Sequence, residues 1–385
     1  MTTRRRVCVV TGSRAEYGLL RWVIDGLSRA SGIELQLAVT GMHLEAEYGD
    51  TVAAIEADGY PIAARVAMRL ESDTPAGIAR SMALGLAGFG DAFERLRPEL
   101  LVILGDRFEI LAAAQAALVA NIPIAHIAGG DLTEGSFDDA IRHALTKMAH
   151  LHFVTNAASG RRVVQMGEDP ERVHVVGSPG LDNLKRLKLL ERDALERELG
   201  AKLRQRNLVI TFHPVTLAPQ SSGAQLEELL QALDALGESY GLFFTLPNAD
   251  TGGRALRQRI ESFVATHANA RAFASLGQLR YLSLMRLADA VVGNSSSGLY
   301  EAPALHKPSV NIGERQQGRL RAASVIDVEP ARAAIGAAIA RALTLDTRAT
   351  RTPYGDGDAA QRIVEVIAAI GDPARLLRKR FHEAP

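Results

Sequence analysis

Short apolar runs alternate with amphipathic segments along this chain, and that alternation restricts its possible folds more than any other feature. The first five runs, within residues 6–155, are RVCVVTG, IELQLAVTG, ELLVILGD, IPIAHIAGG and LHFVT. Segments with helical spacing follow them near 16–31, 44–58, 107–120, 138–150 and 159–167. Runs made almost entirely of Val, Ile and Leu are typical of parallel strands whose sheet is covered on both faces. The pattern therefore predicts βαβ units in a doubly wound α/β fold.

The same alternation begins again in the second half of the chain. Further strands are expected at 206–214, 241–248, 289–298 and 307–313, with helices at 224–238, 252–268 and 277–287. A chain of 385 residues is also too long for one ordinary core. We therefore expect two Rossmann-like domains with a cleft between them, residues 1–180 and 181–360. Residues 361–385 are expected to form helices that pack back across the join.

Composition narrows the classes of function. Lys+Arg and Asp+Glu both number 44, so no basic surplus favours a nucleic-acid partner. No apolar run approaches membrane-spanning length and no signal-peptide core stands at the N-terminus, which predicts a cytoplasmic protein without a membrane partner. The sole cysteine, Cys8, allows no intramolecular disulfide and no cysteine metal site. We expect a packed thiol in a reducing compartment.

Polar residues collect where the predicted strands end. They are Ser13, Arg14, Gly105–Arg107, His126, Gly129–Asp131, His213, Asn248–Asp250 and Asn294–Ser297. In open α/β sheets, ligands bind beyond the carboxyl ends of the strands. The sequence therefore predicts binding and catalysis at this edge of each sheet.

The stretch GNSSSGLYEAP, at 293–303, is the most informative of these strand ends. It supplies Asn294, Ser295, Ser296, Ser297 and Gly298 between a strand and a predicted helix. Free N–H groups and the positive end of a helix dipole, joined by hydroxyl donors, suit a diphosphate. Glu301, one turn inside that helix, would reach a ribose diol. The alternative is an ordinary serine N-cap, which needs only one serine.

Three arginines are candidates for the phosphate groups. Arg14 follows the first strand in TGSRAEYG, which lacks the G-x-G-x-x-G fingerprint, so NAD is disfavoured and no cofactor is expected. Arg14 could instead pair with Glu16 at the surface. Arg315 and Arg319 follow the last predicted strand, either near the nucleotide or in a solvated loop.

Carboxylates gather on the first domain. Asp106 directly follows a buried strand and is either catalytic or a helix N-cap. Asp131 follows two glycines, where the backbone can approach a ligand closely. The next helix carries further candidates at facing spacings, with one acid expected to pair with Arg142: Asp138, Asp139, Arg142 and His143. A salt-bridged, well-capped helix is the alternative reading of this group.

Other polar residues complete the candidate site. His213, before a proline at a strand end, is either catalytic or bonded to a loop carbonyl. Asn248 and Asp250 are expected to bind substrate. Arg107 and Glu109 are expected to be structural partners. Acids at ligand spacing do not accompany His150 and His152, so we propose no metal site.

Taken together, the motifs resemble a known family. TGSRAEYG, AVTGMH, LGDRFE, RVVQMGE, TFHPVT, NADTGG, GNSSSGLYEAP and NIGERQQGR occur in the order seen in the hydrolysing UDP-N-acetylglucosamine 2-epimerases of bacterial sialic-acid synthesis. So does GG-D-TEG--DDAIRHALTKMAHLHF. The resemblance covers roughly residues 6–365 and implies the GT-B fold.

The resemblance also implies a reaction. UDP-GlcNAc would lose its C2 proton and its UDP, giving 2-acetamidoglucal, and water would then add to give N-acetylmannosamine. By motif, the best-matched site residues are Arg14, Asp106, Asp131, His213, Ser296, Ser297 and Glu301. Arg142 and His143 would orient the acids. Ala128 departs from the family pattern, because non-hydrolysing and animal members carry a glutamate there, which makes Asp131 the first candidate for that role.

Three other interpretations are open on the sequence alone. The same reaction could act on UDP-N,N′-diacetylbacillosamine in the legionaminic-acid pathway. A GT-B glycosyltransferase would use the same UDP pocket but pass the sugar to an acceptor. A nucleotide-sugar sensor would bind without turnover. The family implies a homodimer or homotetramer, and the apolar helix at 110–120 is either an interface or a buried crossover helix.

Overall fold

The computed structural model describes residues 4–49, 51–134, 136–215, 219–247 and 252–383. They form two compact units. The first unit contains Met1–Asp131, Asp138–Asn183 and Tyr354–Pro385, and the second contains Leu132–Phe137 and Leu184–Pro353. The chain thus changes unit near residues 183 and 353, where the sequence suggested 180 and 360, and the short stretch at 132–137 also belongs to the second unit.

The first unit is built on a parallel sheet. Its seven strands are β1 (Arg5–Thr11), β2 (Ile33–Thr40), β3 (Ile62–Val66), β4 (Leu100–Leu104), β5 (Ile124–Ile127), β6 (Leu151–Val154) and β7 (Val173–Val175). They lie in the order β3-β2-β1-β4-β5-β6-β7. The helices up to the change of unit are α1 (Arg14–Arg29), α2 (Val52–Ala57), α3 (Pro75–Leu96), α4 (Phe108–Val119), α5 (Asp138–Met148), α6 (Ala157–Gln165) and α7 (Asp182–Arg186).

The second unit repeats this plan with a smaller parallel sheet. Its strands are β8 (Arg206–Thr211), β9 (Tyr240–Thr245), β10 (Ala270–Phe273), β11 (Ala290–Gly293), β12 (Ser309–Ile312) and β13 (Val325–Val328), in the order β10-β9-β8-β11-β12-β13. Its helices are α8 (Arg192–Leu199), α9 (Pro219–Asp234), α10 (Gly253–Thr266), α11 (Gly277–Leu287), α12 (Glu301–Ala304) and α13 (Arg332–Ala342).

The last helix, α14 (Ala359–Ala369), returns to the first unit and packs on α1. Its inward side chains Ile363 and Ile367 are fully buried in the same core as Val7 and Leu37 of the sheet. Cys8 is also buried there, as expected, and burial raises the pKa of its thiol to about 12. No helix among the described residues is long and apolar enough to span a bilayer.

The structure corrects several sequence-based elements. The single helix expected at 44–58 is wrong, because two 3-10 turns precede the short α2 and Gly49, at φ +91°, interrupts the helical backbone. The sequence interpretation also omitted β3, α3, β7, β10, β13 and α13. Of these, α3 had a readable start signal, since Thr74 caps it by accepting a hydrogen bond from the Gly77 N–H and Pro75 is its first residue.

Two glycines allow a matched test of backbone constraint. Gly293, at φ +135°, would place an added Cβ 1.9 Å from the Thr211 carbonyl oxygen, whereas Gly336 lies in α13 with open space around it. We expect Gly293→Ala to lower the free energy of unfolding by more than about 1 kcal/mol. Gly336→Ala should raise it by about 0.5–1 kcal/mol, because alanine favours the helix. Urea unfolding of both variants checks this, and equal effects would contradict it.

Candidate active site

Each sheet has a point at which the strand order reverses, and the predicted site residues that directly follow a strand lie at that point or next to it. In the first sheet the reversal falls between β1 and β4, and in the second between β8 and β11. The turns that leave neighbouring strands there diverge to opposite faces and leave a crevice at the carboxyl edge. The candidate residues follow these strands: Ser13 and Arg14 after β1, Asp106 after β4, Asp131 after β5, His213 after β8, and Asn294–Ser297 after β11.

Asp106 is tied to the helix that carries the other predicted acids. The Arg142 guanidinium donates to the Asp106 carboxylate through one nitrogen and to the Ala128 carbonyl, at 2.8 Å, through another. Arg142 is only 3% exposed, whereas the Asp106 side chain is 19% exposed, so this charge-assisted contact is partly shielded from water. The arginine thus joins the turn after β4 to the turn after β5. On the same helix His143 lies 3.4 Å from Asp139, as the i,i+4 spacing predicted.

Asp131 is anchored by hydroxyl groups that the sequence did not single out. Its Oδ1 accepts hydrogen bonds from Thr155 Oγ1 at 2.6 Å and Ser159 Oγ at 2.5 Å, and the side chain is buried. Thr155 follows β6 and Ser159 lies in the first turn of α6. The carboxylate is therefore held in one orientation at the sheet edge, as a preorganised acid or base would need.

Glu16, in the first turn of α1, is a buried carboxyl group next to the turn after β1. Glu16 Oε2 accepts from the Gly12 N–H at 2.7 Å, and the Glu16 N–H donates to Ser13 Oγ at 3.3 Å, in the manner of a capping box. Burial, and then the nearby Glu109 carboxylate, raise the pKa of Glu16 to about 8. Arg107 pairs with Glu109 at 3.0 Å, as expected. Arg14 begins α1 directly beside this cap.

The histidines of the first sheet pack as neutral side chains. His126 Nε2 lies 2.7 Å from the Gly105 carbonyl oxygen, and burial lowers the pKa of this histidine to about 3. His152 contacts the buried Glu168 at 3.0 Å. Among the residues that the structure describes, no group of three His, Cys, Asp or Glu side chains is arranged to hold a metal ion.

Asn294 joins the two central turns of the second unit. Its Oδ1 accepts from the His213 N–H at 2.7 Å, and its Nδ2 donates to the His213 carbonyl at 2.9 Å. The Asn294 carbonyl in turn accepts from Gln316 Nε2 at 2.8 Å and Arg315 at 3.2 Å. This network holds the His213 backbone and the Arg315 guanidinium beside the serine turn.

The serine turn itself differs from the prediction. Ser295 Oγ accepts from the Ser297 N–H, residues 296–298 form a 3-10 turn, and the following helix α12 has only four residues. The expectation that Glu301 lies one turn inside a helix whose dipole is aimed at a phosphate is therefore wrong, because Glu301 is the first residue of α12. The helix ends at Ala304, and His306 just beyond it has a left-handed backbone with φ +54°. Any anion at this turn would be bound by hydroxyl and local N–H donors.

Burial raises the pKa values of two side chains beside the serine turn. Burial raises the pKa of Tyr281, on α11, to about 12, and its hydroxyl hydrogen-bonds with Ser297 and Thr211. Burial also raises the pKa of Glu301 to about 7, against the opposing effect of the Arg319 charge. Tyr281 was missed in the sequence because it lies on a helix distant from any motif. Its hydroxyl helps to position the side chain of Ser297.

Arg319 contacts a different part of the chain from Arg315. Its Nε donates to the Leu132 carbonyl at 2.8 Å and one terminal nitrogen donates to Thr133 Oγ1 at 2.8 Å. Its guanidinium carbon also lies 5.5 Å from the centre of the Tyr300 ring. Asn248 and Asp250, which the sequence placed near the substrate, fall outside the described residues.

Two parallel, doubly wound units, each with polar residues at the carboxyl edge of its sheet, have the architecture of the GT-B fold. A family model described as UDP-N-acetylglucosamine 2-epimerase matches residues 25–368. The chain therefore belongs to the UDP-N-acetylglucosamine 2-epimerase family, and it is an enzyme of the hydrolysing 2-epimerase kind.

Three curated relatives stand out. The GDP/UDP-N,N′-diacetylbacillosamine 2-epimerase (hydrolyzing) of Campylobacter jejuni is 39% identical and covers 85% of each chain. The UDP-N,N′-diacetylbacillosamine 2-epimerase (hydrolyzing) of Legionella pneumophila is 36% identical over 97% of this chain and 98% of its own. The polysialic acid biosynthesis protein P7 of Escherichia coli is 40% identical over 84% and 82%.

Solved structures agree on the fold. UDP-GlcNAc 2-epimerase from Methanocaldococcus jannaschii, in complex with UDP-GlcNAc and UDP, has a TM-score of 0.79. The Neisseria meningitidis enzyme bound to UDP-GlcNAc has a TM-score of 0.77. Each is 18% identical, and the match covers 94% of this chain and 99% of the other. At that identity the likeness establishes the GT-B architecture.

The raised pKa of Glu16 predicts a pH-dependent stability. Between pH 4.5 and about 8 the folded protein keeps a proton that the unfolded chain releases, so the free energy of unfolding falls as pH rises through that window. Glutamine at position 16 does not titrate, and its side-chain oxygen can still accept a hydrogen bond from the Gly12 N–H. The stability of Glu16→Gln relative to wild type should therefore rise from pH 4.5 to 8 and then level off.

Denaturant melts across that pH range test this expectation. The exposed Glu94→Gln on α3 is the matched control, and its difference from wild type should not change with pH. A difference for Glu16→Gln that is the same at every pH would show that folding does not raise the pKa of Glu16.

Proposed function

We propose that this protein converts a UDP-linked 2-acetamido sugar and water into UDP and the free 2-epimer of the sugar. The relatives carrying the word hydrolyzing in their names support this reaction, since they span 85% and 97% of the chain. The structural observation that carries the proposal is the pair of fixed polar edges. One presents anchored carboxylates, and the other presents hydroxyl, histidine and arginine donors.

The reaction has two steps. First, a base takes the proton from C2 while the bond between C1 and the phosphate oxygen breaks, so that UDP leaves with the electron pair and a 2-acetamidoglucal forms. Water then adds across that double bond, with the hydroxyl at C1 and a proton delivered to C2 from the opposite face. The second step inverts C2 and gives the manno configuration. Both steps need proton carriers at the sugar and charge stabilisation at the phosphate.

The candidate residues have two kinds of role in our proposal. Ser296, Ser297, His213 and Arg315 bind the diphosphate and Glu301 accepts from the ribose hydroxyls. Asp106 and Asp131 act on the sugar, with Asp138 and Asp139 on the neighbouring helix and Arg14 at the departing phosphate. Arg142 and His143 orient the acids. The Arg142 contact with Asp106 supports this role, because it holds the side chain of Asp106 in one place.

For the sugar, we now place UDP-N,N′-diacetylbacillosamine first and UDP-GlcNAc second, reversing the order suggested by the motifs. Two of the three relatives named above carry diacetylbacillosamine in their names. The third is named for polysialic acid biosynthesis, and the description of the family model, UDP-N-acetylglucosamine 2-epimerase, supports the second substrate. Both substrates share the acetamido group at C2 and the leaving UDP, so the catalytic residues serve either one.

The substrate is tested by incubating the purified protein with each UDP-sugar and with GDP-N,N′-diacetylbacillosamine, and identifying the products by proton NMR. We expect a 2,4-diacetamido manno-configured sugar and equimolar UDP from the first substrate, without any acceptor. N-acetylmannosamine formed faster from UDP-GlcNAc would place that substrate first. If no sugar is released from any of the three, the proposed reaction is refuted.

Asp106→Asn should separate catalysis from nucleotide binding. The amide keeps the shape of the side chain but cannot take a proton from the sugar, so we expect kcat to fall by at least about 100-fold. The Kd for UDP, measured by calorimetry, should stay within about twofold, because UDP is assigned to Ser296, Ser297, His213 and Arg315. The exposed Asp91→Asn is the control, and near-normal turnover by Asp106→Asn would remove Asp106 from the mechanism.

A further inference from the structure

A six-residue segment separates two of the candidate acids. Asp131 and Asp138 both belong to the first unit, whereas Leu132–Phe137 between them belongs to the second unit. Residue 135 of this segment is not described. The backbone connects both acids directly to this segment. Contacts that hold the segment in place therefore also affect where the two acids lie.

Arg319 is a polar anchor of this segment. Its guanidinium donates to the Leu132 carbonyl and to Thr133 Oγ1, both at 2.8 Å. The Thr133 side chain is 2% exposed, and the Ser136 N–H closes a turn onto the Thr133 carbonyl at 2.9 Å. Two donors of one rigid guanidinium fix both the path of the backbone and the rotation of the threonine.

The loop around Arg319 is shaped to accept the segment. Gly318, at φ +84°, would place an added Cβ 2.7 Å from Leu132 Cβ, so the two backbones approach more closely than another residue would allow. The Glu134 N–H also donates to the Gln317 carbonyl at 3.3 Å. Three consecutive residues of this loop therefore meet the segment.

Arg319 also lies close to Tyr300 and Glu301, beside the residues that we assign to the nucleotide. Its guanidinium lies over the Tyr300 ring, next to Glu301, and its charge acts on the Glu301 carboxyl. Arg319 is thus placed between the residue proposed for the ribose and the segment that joins the two acids.

We propose that Arg319 is a positioning residue that holds Leu132 and Thr133 and thereby sets Asp131 and Asp138 for proton transfer at the sugar. This inference rests on the function proposed above. It also replaces the sequence-based expectation that Arg319 binds the nucleotide. A misplacement of about 1 Å in a reacting group can cost about 100-fold in rate, so an anchor of this kind acts on turnover more than on affinity.

Four variants test the inference, with kcat, KM and the Kd for UDP measured for each. Arg319→Lys keeps the charge but cannot hold both acceptors in the fixed guanidinium geometry, and Thr133→Val removes only the hydroxyl. Both should lower kcat by about 10- to 100-fold with KM and the UDP Kd within about twofold. Thr133→Ser keeps the hydroxyl and loses only the methyl group, so it should retain most of the wild-type turnover. Arg348→Lys, at an exposed ion pair, is the control.

The outcomes are distinct. A tenfold weaker UDP Kd in Arg319→Lys, with normal turnover in Thr133→Val, would mean that Arg319 contacts the nucleotide and would overturn the inference. Unchanged kcat in both would also overturn it while leaving the proposed reaction intact, since the wild type still turns over. If Arg319→Lys fails to fold, as judged by a thermal melt, the Thr133→Val and Thr133→Ser pair decides. A wild-type protein without turnover would overturn both proposals.

Discussion

Parallel strand pairing is the interaction on which the rest of this structure depends. Because every strand of a parallel sheet runs the same way, all the turns that leave its carboxyl ends lie at one edge. In this chain β1 pairs with β4, and β8 pairs with β11, at the points where the strand order reverses. The hydrophobic residues that form both sheets therefore also determine which polar turns lie next to one another. The core and the site follow from the same pairing.

The polar residues at those edges are mostly bound to one another across turns. Asn294 holds the turn after β8 to the turn after β11, and Arg142 holds the turn after β4 to the turn after β5. A buried polar group without partners is costly, so these networks make each turn depend on its neighbour. Such rigidity is what a site needs if it is to stabilise charge that appears only during the reaction.

The sequence predicted the parts of this site that depend on local pattern. Strand ends, the Asp139 and His143 spacing and the Arg107 and Glu109 pair are all readable within a few residues. The Arg142 contact with Asp106 spans 36 residues and follows from the pairing of β4 with β5, which one helix cannot reveal. The helix after the serines was expected to begin one turn before Glu301, whereas a separate 3-10 turn at 296–298 comes first and Glu301 begins α12.

The measurement that tests the proposed mechanism most directly is mass spectrometry of the products formed in water labelled with both deuterium and oxygen-18. Elimination followed by hydration predicts a free sugar carrying one deuterium at C2 and one oxygen-18 at C1, and UDP without oxygen-18. A sugar that gains oxygen-18 but no carbon-bound deuterium would mean simple hydrolysis without loss of the C2 proton. Oxygen-18 in the UDP would mean attack at phosphorus. Either result would contradict a mechanism of elimination followed by hydration.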